Sequence, residues 1–141
     1  MNKNQAIKFL RSHQPMPAAP EITQAQVDTY DEVRMYFIKN PDSRSIELFL
    51  RSFGDGDGLG MYQLVEDVFY QCEKPDVVSG IQTVLEDLSI PNGVRYWTTQ
   101  AAAAFPDDAL RNGLSLSLAS SNEDIREAAE LAFEIIGTEK P

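Results

Sequence analysis

The sequence predicts an all-α chain, a short α-solenoid of about seven or eight helices stacked in pairs. Three observations carry that expectation. Apolar residues recur at helical spacing along most of the chain. Proline-aspartate and glycine-rich breaks cut it into segments of helix length, and no convincing alternating strand is left over. Several of these features also echo at a common period, the length of one helix pair.

The elements follow in order. Ile7, Phe9 and Leu10 give a short apolar face on residues 2–13. Pro15, Pro17 and Pro20 then make a stiff break, because proline lacks a backbone donor and restricts the residue before it. Val27, Tyr30, Val33, Phe37 and Ile38 place a helix over about 22–39. Pro41-Asp42 ends it and starts another, with Ile46, Leu48, Phe49, Leu50 and Phe53 apolar. Gly54-Asp55-Gly56-Asp57-Gly58-Leu59-Gly60 reads as a loop, since four glycines make helix costly. Leu64, Val65, Val68 and Phe69 predict a helix over about 61–72. Pro75-Asp76 opens the next, with Val77, Val78, Ile81, Val84, Leu85 and Leu88. Pro91-Asn92-Gly93 breaks the chain before a helix of about 93–105, and Pro106-Asp107-Asp108 leads one through Leu118. Ser121 or Asn122 can cap the last helix, about 122–136, which ends at Gly137. The chain is expected to form one domain over 1–141: an N-terminal helix (1–14), a Pro-rich linker (15–21) and stacked helical hairpins (22–137).

The echoes make the case for stacking. Val94-Arg95 recurs one period later as Ile125-Arg126, and Val33-Arg34 lies about two periods earlier. Pro41-Asp42, Pro75-Asp76 and Pro106-Asp107 follow one another at nearly the same interval. Gly80-Ile81 with Leu85 matches Gly113-Leu114 with Leu118. A fixed period of this length marks helix pairs that cannot bury their apolar faces alone and must stack.

Composition narrows the function. There are 22 acidic against 12 basic side chains, a formal net charge of -10. Nucleic acid and anionic membranes are therefore disfavoured as partners, because phosphate binding needs clustered Lys and Arg. Residues 1–60 hold 8 acids and 7 bases, whereas residues 61–141 hold 14 and 5, so the excess sits in the second half. That pattern fits either a well-solvated surface or one matched to a basic partner. No apolar run is long enough to span a membrane, and the start has no signal-peptide core. With Cys72 alone no intrachain disulfide can form, which fits a cytoplasmic setting. One His and one Cys exclude a Cys/His zinc site of the usual type.

Catalytic signals are weak. His13 and Cys72 have no evident partner, and a surface His and a packed Cys are expected. The pairs Glu66-Asp67 and Glu86-Asp87 are adjacent in sequence and so point to different faces of a helix. Asp55, Asp57, Gly60 and Glu66 fall at places 1, 3, 6 and 12 of an EF-hand-like loop. Leu59 at place 5 cannot ligate and Tyr62 stands where an aliphatic is expected, so no metal site is assigned. A polar hinge or partner-contacting loop is expected instead, and nothing calls for a cofactor.

Residues 92–136 resemble a known family. Asn122-Glu123-Asp124-Ile125-Arg126-Glu127-Ala128-Ala129-Glu130-Leu131-Ala132 looks like the inner helix of a HEAT repeat, with its Asp, aliphatic, Arg and small Ala positions. Val94-Arg95-Tyr96-Trp97 with Ala101–Ala104 resembles the same element in bulkier form, and Val33-Arg34 matches more weakly. The resemblance implies that the Arg reaches acids at the neighbouring repeat's helix start. It also implies a concave face lined by inner helices, here about 22–39, 61–72, 93–105 and 122–136. On these, Tyr62, Glu66, Tyr70, Tyr96 and Trp97 are the aromatic and acidic candidates, since Tyr and Trp serve as rigid interface anchors. Trp97 is weighed equally between core and interface, and Tyr62 is placed at the interface beside the glycine loop. Asp55, Asp57, Asp67, Asp107 and Asp108 complete the candidate binding set, with helix capping an alternative for the last two.

A small, acidic, HEAT-like chain is also similar to immunity proteins of bacterial toxin systems, including contact-dependent growth inhibition. The residues that carry this look are Tyr30-Asp31-Glu32-Val33, Asn40-Pro41-Asp42, the glycine loop and Tyr96-Trp97. The resemblance implies a cognate protein toxin as partner, often a basic nuclease domain, bound by a monomer one to one without catalysis. A general HEAT-like adaptor and a small-ligand-binding HEAT-like protein are the alternatives.

Overall fold

A computed structural model describes residues 1–139 of the chain, and over that range the fold is all-α. Its helices are α1 (Lys3–Arg11), α2 (Gln24–Lys39), α3 (Arg44–Leu50), α4 (Glu66–Phe69), α5 (Lys74–Leu85), α6 (Asn92–Ala104), α7 (Arg111–Leu118) and α8 (Glu123–Glu139). Short 3-10 turns fill Gly58–Gly60, Tyr62–Val65 and Asp108–Leu110.

Local chemistry sets the boundaries. Asn2 with Gln5 and Thr23 with Gln26 form reciprocal capping boxes, each satisfying two helix-start amides. Asp107 accepts from the Ala109 amide, and Asn122 accepts from the Ile125 amide at 3.1 Å. Pro75 lies in the first turn of α5, where its missing N–H costs nothing.

From α5 onward each helix packs on its neighbours one and two places along the chain, and in the first half the main contacts are between helices one or two places apart. α5 meets α6 and α7, α6 meets α7 and α8, α3 meets α5, α1 meets α3, and α2 meets α4. One of the sequence echoes has a direct packing cause. A Cβ at Gly80 in α5 would lie 2.7 Å from the Ile46 side chain of α3. A Cβ at Gly113 in α7 would lie 2.5 Å from the Leu85 Cβ of α5. The same small residue thus lets α5 sit against α3 and α7 against α5.

One continuous apolar core runs through the body, from Leu10, Tyr30 and Phe37 through Phe49, Phe69 and Ile81 to Leu114 and Ile136. The Pro-rich segment is no loose linker. Met16 is buried in this core, its amide donates to Ser52 O at 2.8 Å, and Ala19 N donates to Asp55 O at 3.1 Å.

The last helix does not end at Gly137 but runs through it to Glu139, and two further local expectations are not met in full. The helix over 61–72 shrinks to the single α turn of α4, preceded by 3-10 turns. Leu59 and Gly60 are in the left-handed region at φ 53° and 90°, so the helical path begins only after them, and it begins as 3-10 over Tyr62–Val65. The expected role of the repeated arginine holds only in part. Arg34 pairs with Asp31 at 2.9 Å and with Asp67 in α4 at 3.3 Å. Arg95 instead is buried and donates to Ser117 Oγ (3.0 Å), Leu85 O (3.0 Å) and Asp87 O (3.1 Å). Arg126 donates to Ser120 O at 3.1 Å. Carbonyls at a helix end can also satisfy a guanidinium, because they present acceptor oxygens.

Candidate functional site: an acidic and aromatic groove

The glycine loop, Gly54–Gly60, is tied into the fold at several points. Gly56, Gly58 and Gly60 have positive φ, which lets the chain fold tightly over the Tyr62 ring. The Gly58 Cα lies so close to that ring that no side chain fits between them. The Trp97 indole N–H donates to Gly56 O at 2.8 Å. Gly93, at the start of α6, abuts the Gly54 carbonyl with no room for a Cβ. These contacts replace the expected hinge with a fixed rim.

An open groove of about 480 Å³ lies beside this rim. It is lined by Asp55, Gly56 and Asp57 from the loop, Asn92, Gly93, Tyr96 and Trp97 from α6, and Asn122 and Asp124 at the start of α8. Helices α6 and α8 both open on it with their N-terminal ends, so they run side by side in the same direction. Tyr96 and Trp97 meet edge to face, with centroids 5.1 Å apart and planes at 87°. Gln100 Nε2 donates to the Tyr96 hydroxyl at 2.8 Å and holds that ring. Trp97 is half-buried and does both things weighed for it. It packs against Phe53 and Tyr62 at 6.1 and 5.9 Å and presents the rest of its ring to the groove.

The electrostatic sign follows from the lining. Asp55, Asp57 and Asp124 have no ion pair among the described residues, and no Lys or Arg lines the groove. The two helix starts oppose them with roughly half a positive charge each. Three full negative charges outweigh that, so the groove attracts cations.

Four of the ten sequence-predicted site residues therefore meet here: Asp55, Asp57, Tyr96 and Trp97. Tyr62 does not, and its expected interface role is corrected. It is 2% exposed and sits in the core among Tyr30, Phe53 and Trp97. Its hydroxyl lies against the Gly54 backbone without a well-formed hydrogen bond, and burial pushes its pKa up. Tyr70 is exposed but stacks on Phe105, centroids 4.8 Å apart, at the C-terminal end of α6. That helix has 13 residues and is about 20 Å long, so Tyr70 stands at the far end from the groove. Asp107 and Asp108 follow α6 at the same end. Asp107 caps the turn it begins, and Asp108 pairs with Arg111 at 2.7 Å. On α4, Asp67 is engaged by Arg34, and half-buried Glu66 has its pKa raised by burial and then by the Asp67 charge.

Sequence reasoning missed Asn92, Gly93, Asn122 and Asp124 as groove residues. The two asparagines were legible as helix starts, but their convergence depends on α6 lying against α8. The EF-hand-like spacing does not produce a ligand shell. Among the described residues no three carboxylate, His or Cys side chains come close enough to hold a metal ion. His13 stacks on Phe9 with centroids 4.1 Å apart and its Nδ1 lies 2.7 Å from Phe9 O. The Cys72 thiol lies 3.6 Å from Val68 O, and burial pushes its pKa up. Among the described residues no helix is long and apolar enough to cross a membrane.

Comparison with family models, with curated proteins and with solved structures finds no match for this chain.

Proposed function

We propose that this chain is a binding protein of the immunity type, which neutralises a cognate bacterial toxin domain of basic character, such as a nuclease. The observation that carries the reading is the groove, where three carboxylates without ion pairs flank a half-buried Trp–Tyr pair and no basic side chain is present. Aromatic anchors supply rigid contact area, and the surrounding charge selects and steers a basic partner. The stacking of helices on neighbours one and two places along, with Gly80 and Gly113 in matching roles, supports a HEAT-like solenoid as the scaffold. In this reading the chain acts in the cytoplasm as a monomer, one to one with the toxin, without catalysis or cofactor.

The test is to look for a toxin gene beside this one and to co-express the chain with its basic C-terminal domain. A complex that survives gel filtration, together with loss of toxin activity, supports the reading. Absence of any complex at micromolar concentration refutes it.

A further inference from the structure

We propose that the groove is a receptor for a guanidinium group, so that an arginine side chain of the partner inserts between the Asp55–Asp57 rim and Asp124, against the Tyr96–Trp97 corner. The inference rests on the reading of the groove as the docking site for a basic partner and names the chemistry it recognises.

Three features select this occupant. The Tyr96 and Trp97 rings stand at 87°, so together they form a corner with one ring turned across the other. A planar cation stacked on one ring there presents its edge to the other, and ring faces attract cations. The carboxylates come from two separate elements, the loop and the start of α8. A guanidinium has five donors in a flat fork and can bond carboxylates of both while stacked, whereas an ammonium is a strongly hydrated point charge. The volume of about 480 Å³ lies toward the small end of the range for small-ligand pockets. Among the described residues no Lys or Arg of this protein lines the groove. Arg34, Arg44, Arg51 and Arg111 pair with carboxylates outside the groove, and Arg95 is buried. The cation of this proposal is supplied by another molecule.

The chain's single tryptophan lines the groove, so its fluorescence in the folded chain reports on this site. The full chain is titrated at low salt with N-acetylated, C-amidated tri-arginine, with tri-lysine as the comparison. The expected result is a saturable change in Trp97 emission with tri-arginine, at a midpoint on the order of millimolar or below, and a clearly weaker response to tri-lysine. The variant Asp55→Asn/Asp57→Asn/Asp124→Asn, folded by circular dichroism, should bind tri-arginine at least about tenfold more weakly. An equal response to both peptides, an undiminished response in the variant, or a response to calcium chloride but not to tri-arginine overturns the proposal. The titration uses no toxin, so its failure is separable from failure to form the toxin complex.

Discussion

Replacing Gly93 by alanine should destabilise this protein, although alanine is the better helix former. Gly93 is the second residue of α6, and on helix propensity alone the change should stabilise by at most about 1 kcal/mol. Packing opposes this. A Cβ at Gly93 would fall on the Gly54 carbonyl and within 2.9 Å of the Asp55 amide nitrogen. Both are backbone atoms held by the pinned loop, so neither can swing away as a side chain tip would. Forcing an extra carbon into a packed site costs typically about 1–3 kcal/mol, and this one meets backbone. The net expectation is a loss of about 1–2 kcal/mol, or roughly 3–8 °C in Tm. Gly137→Ala is the internal control. Gly137 lies in α8, and a Cβ there meets nothing within 4 Å, so the same change should stabilise by a few tenths to about 1 kcal/mol. Urea unfolding followed by Trp97 fluorescence and far-UV circular dichroism measures both. Opposite signs support the packing account. Stabilisation by Gly93→Ala would refute the close approach of α6 to the glycine loop.

Three further outcomes are expected. Tyr62→Phe should leave stability unchanged or raise it by up to about 1 kcal/mol, because it removes a buried hydroxyl without a good hydrogen bond, whereas Tyr62→Ala should cost about 3–5 kcal/mol; chemical denaturation of both variants checks this. Arg95→Met keeps the apolar stem but leaves Leu85 O and Asp87 O without their donor, and should cost about 2–4 kcal/mol in the same measurement. Asp42 accepts from Arg44 and lies 3.3 Å from Lys3, and the Arg44 hydrogen bonds hold its pKa well below the usual carboxylate value. Its stabilising contribution is present above the unfolded-state pKa of about 3.9 and is lost as pH falls through the folded value. The urea midpoint should therefore drop between pH 5 and pH 2.5 by less in Asp42→Asn than in the parent chain.

How much could be read from the sequence differs from residue to residue. The helical order was legible because apolar spacing and Pro-Asp breaks are local signals, and the Gly80 and Gly113 echo marked real helix contacts. Tyr62 was misplaced because an aromatic beside a polar glycine loop carries no local sign of burial. Only the left-handed glycines, which wrap the chain around its ring, put it in the core. Trp97 could not be assigned to core or surface by periodicity, since it serves both. Asp124 went unselected because its importance comes from α8 starting beside the start of α6, a contact between segments about one repeat apart. Tyr70 and Asp107 carried the right chemistry but sit at the other end of α6. Helical spacing along one segment gives no distance between segments.

The most direct test of the groove as docking surface is the association rate with the proposed toxin partner, measured against salt by stopped flow. The parent chain is compared with Asp55→Asn/Asp57→Asn/Asp124→Asn. Slower association in the variant, with a flatter salt dependence, is the result expected of carboxylates that steer a basic partner into the groove. Association as fast and as salt-sensitive as in the parent would contradict it.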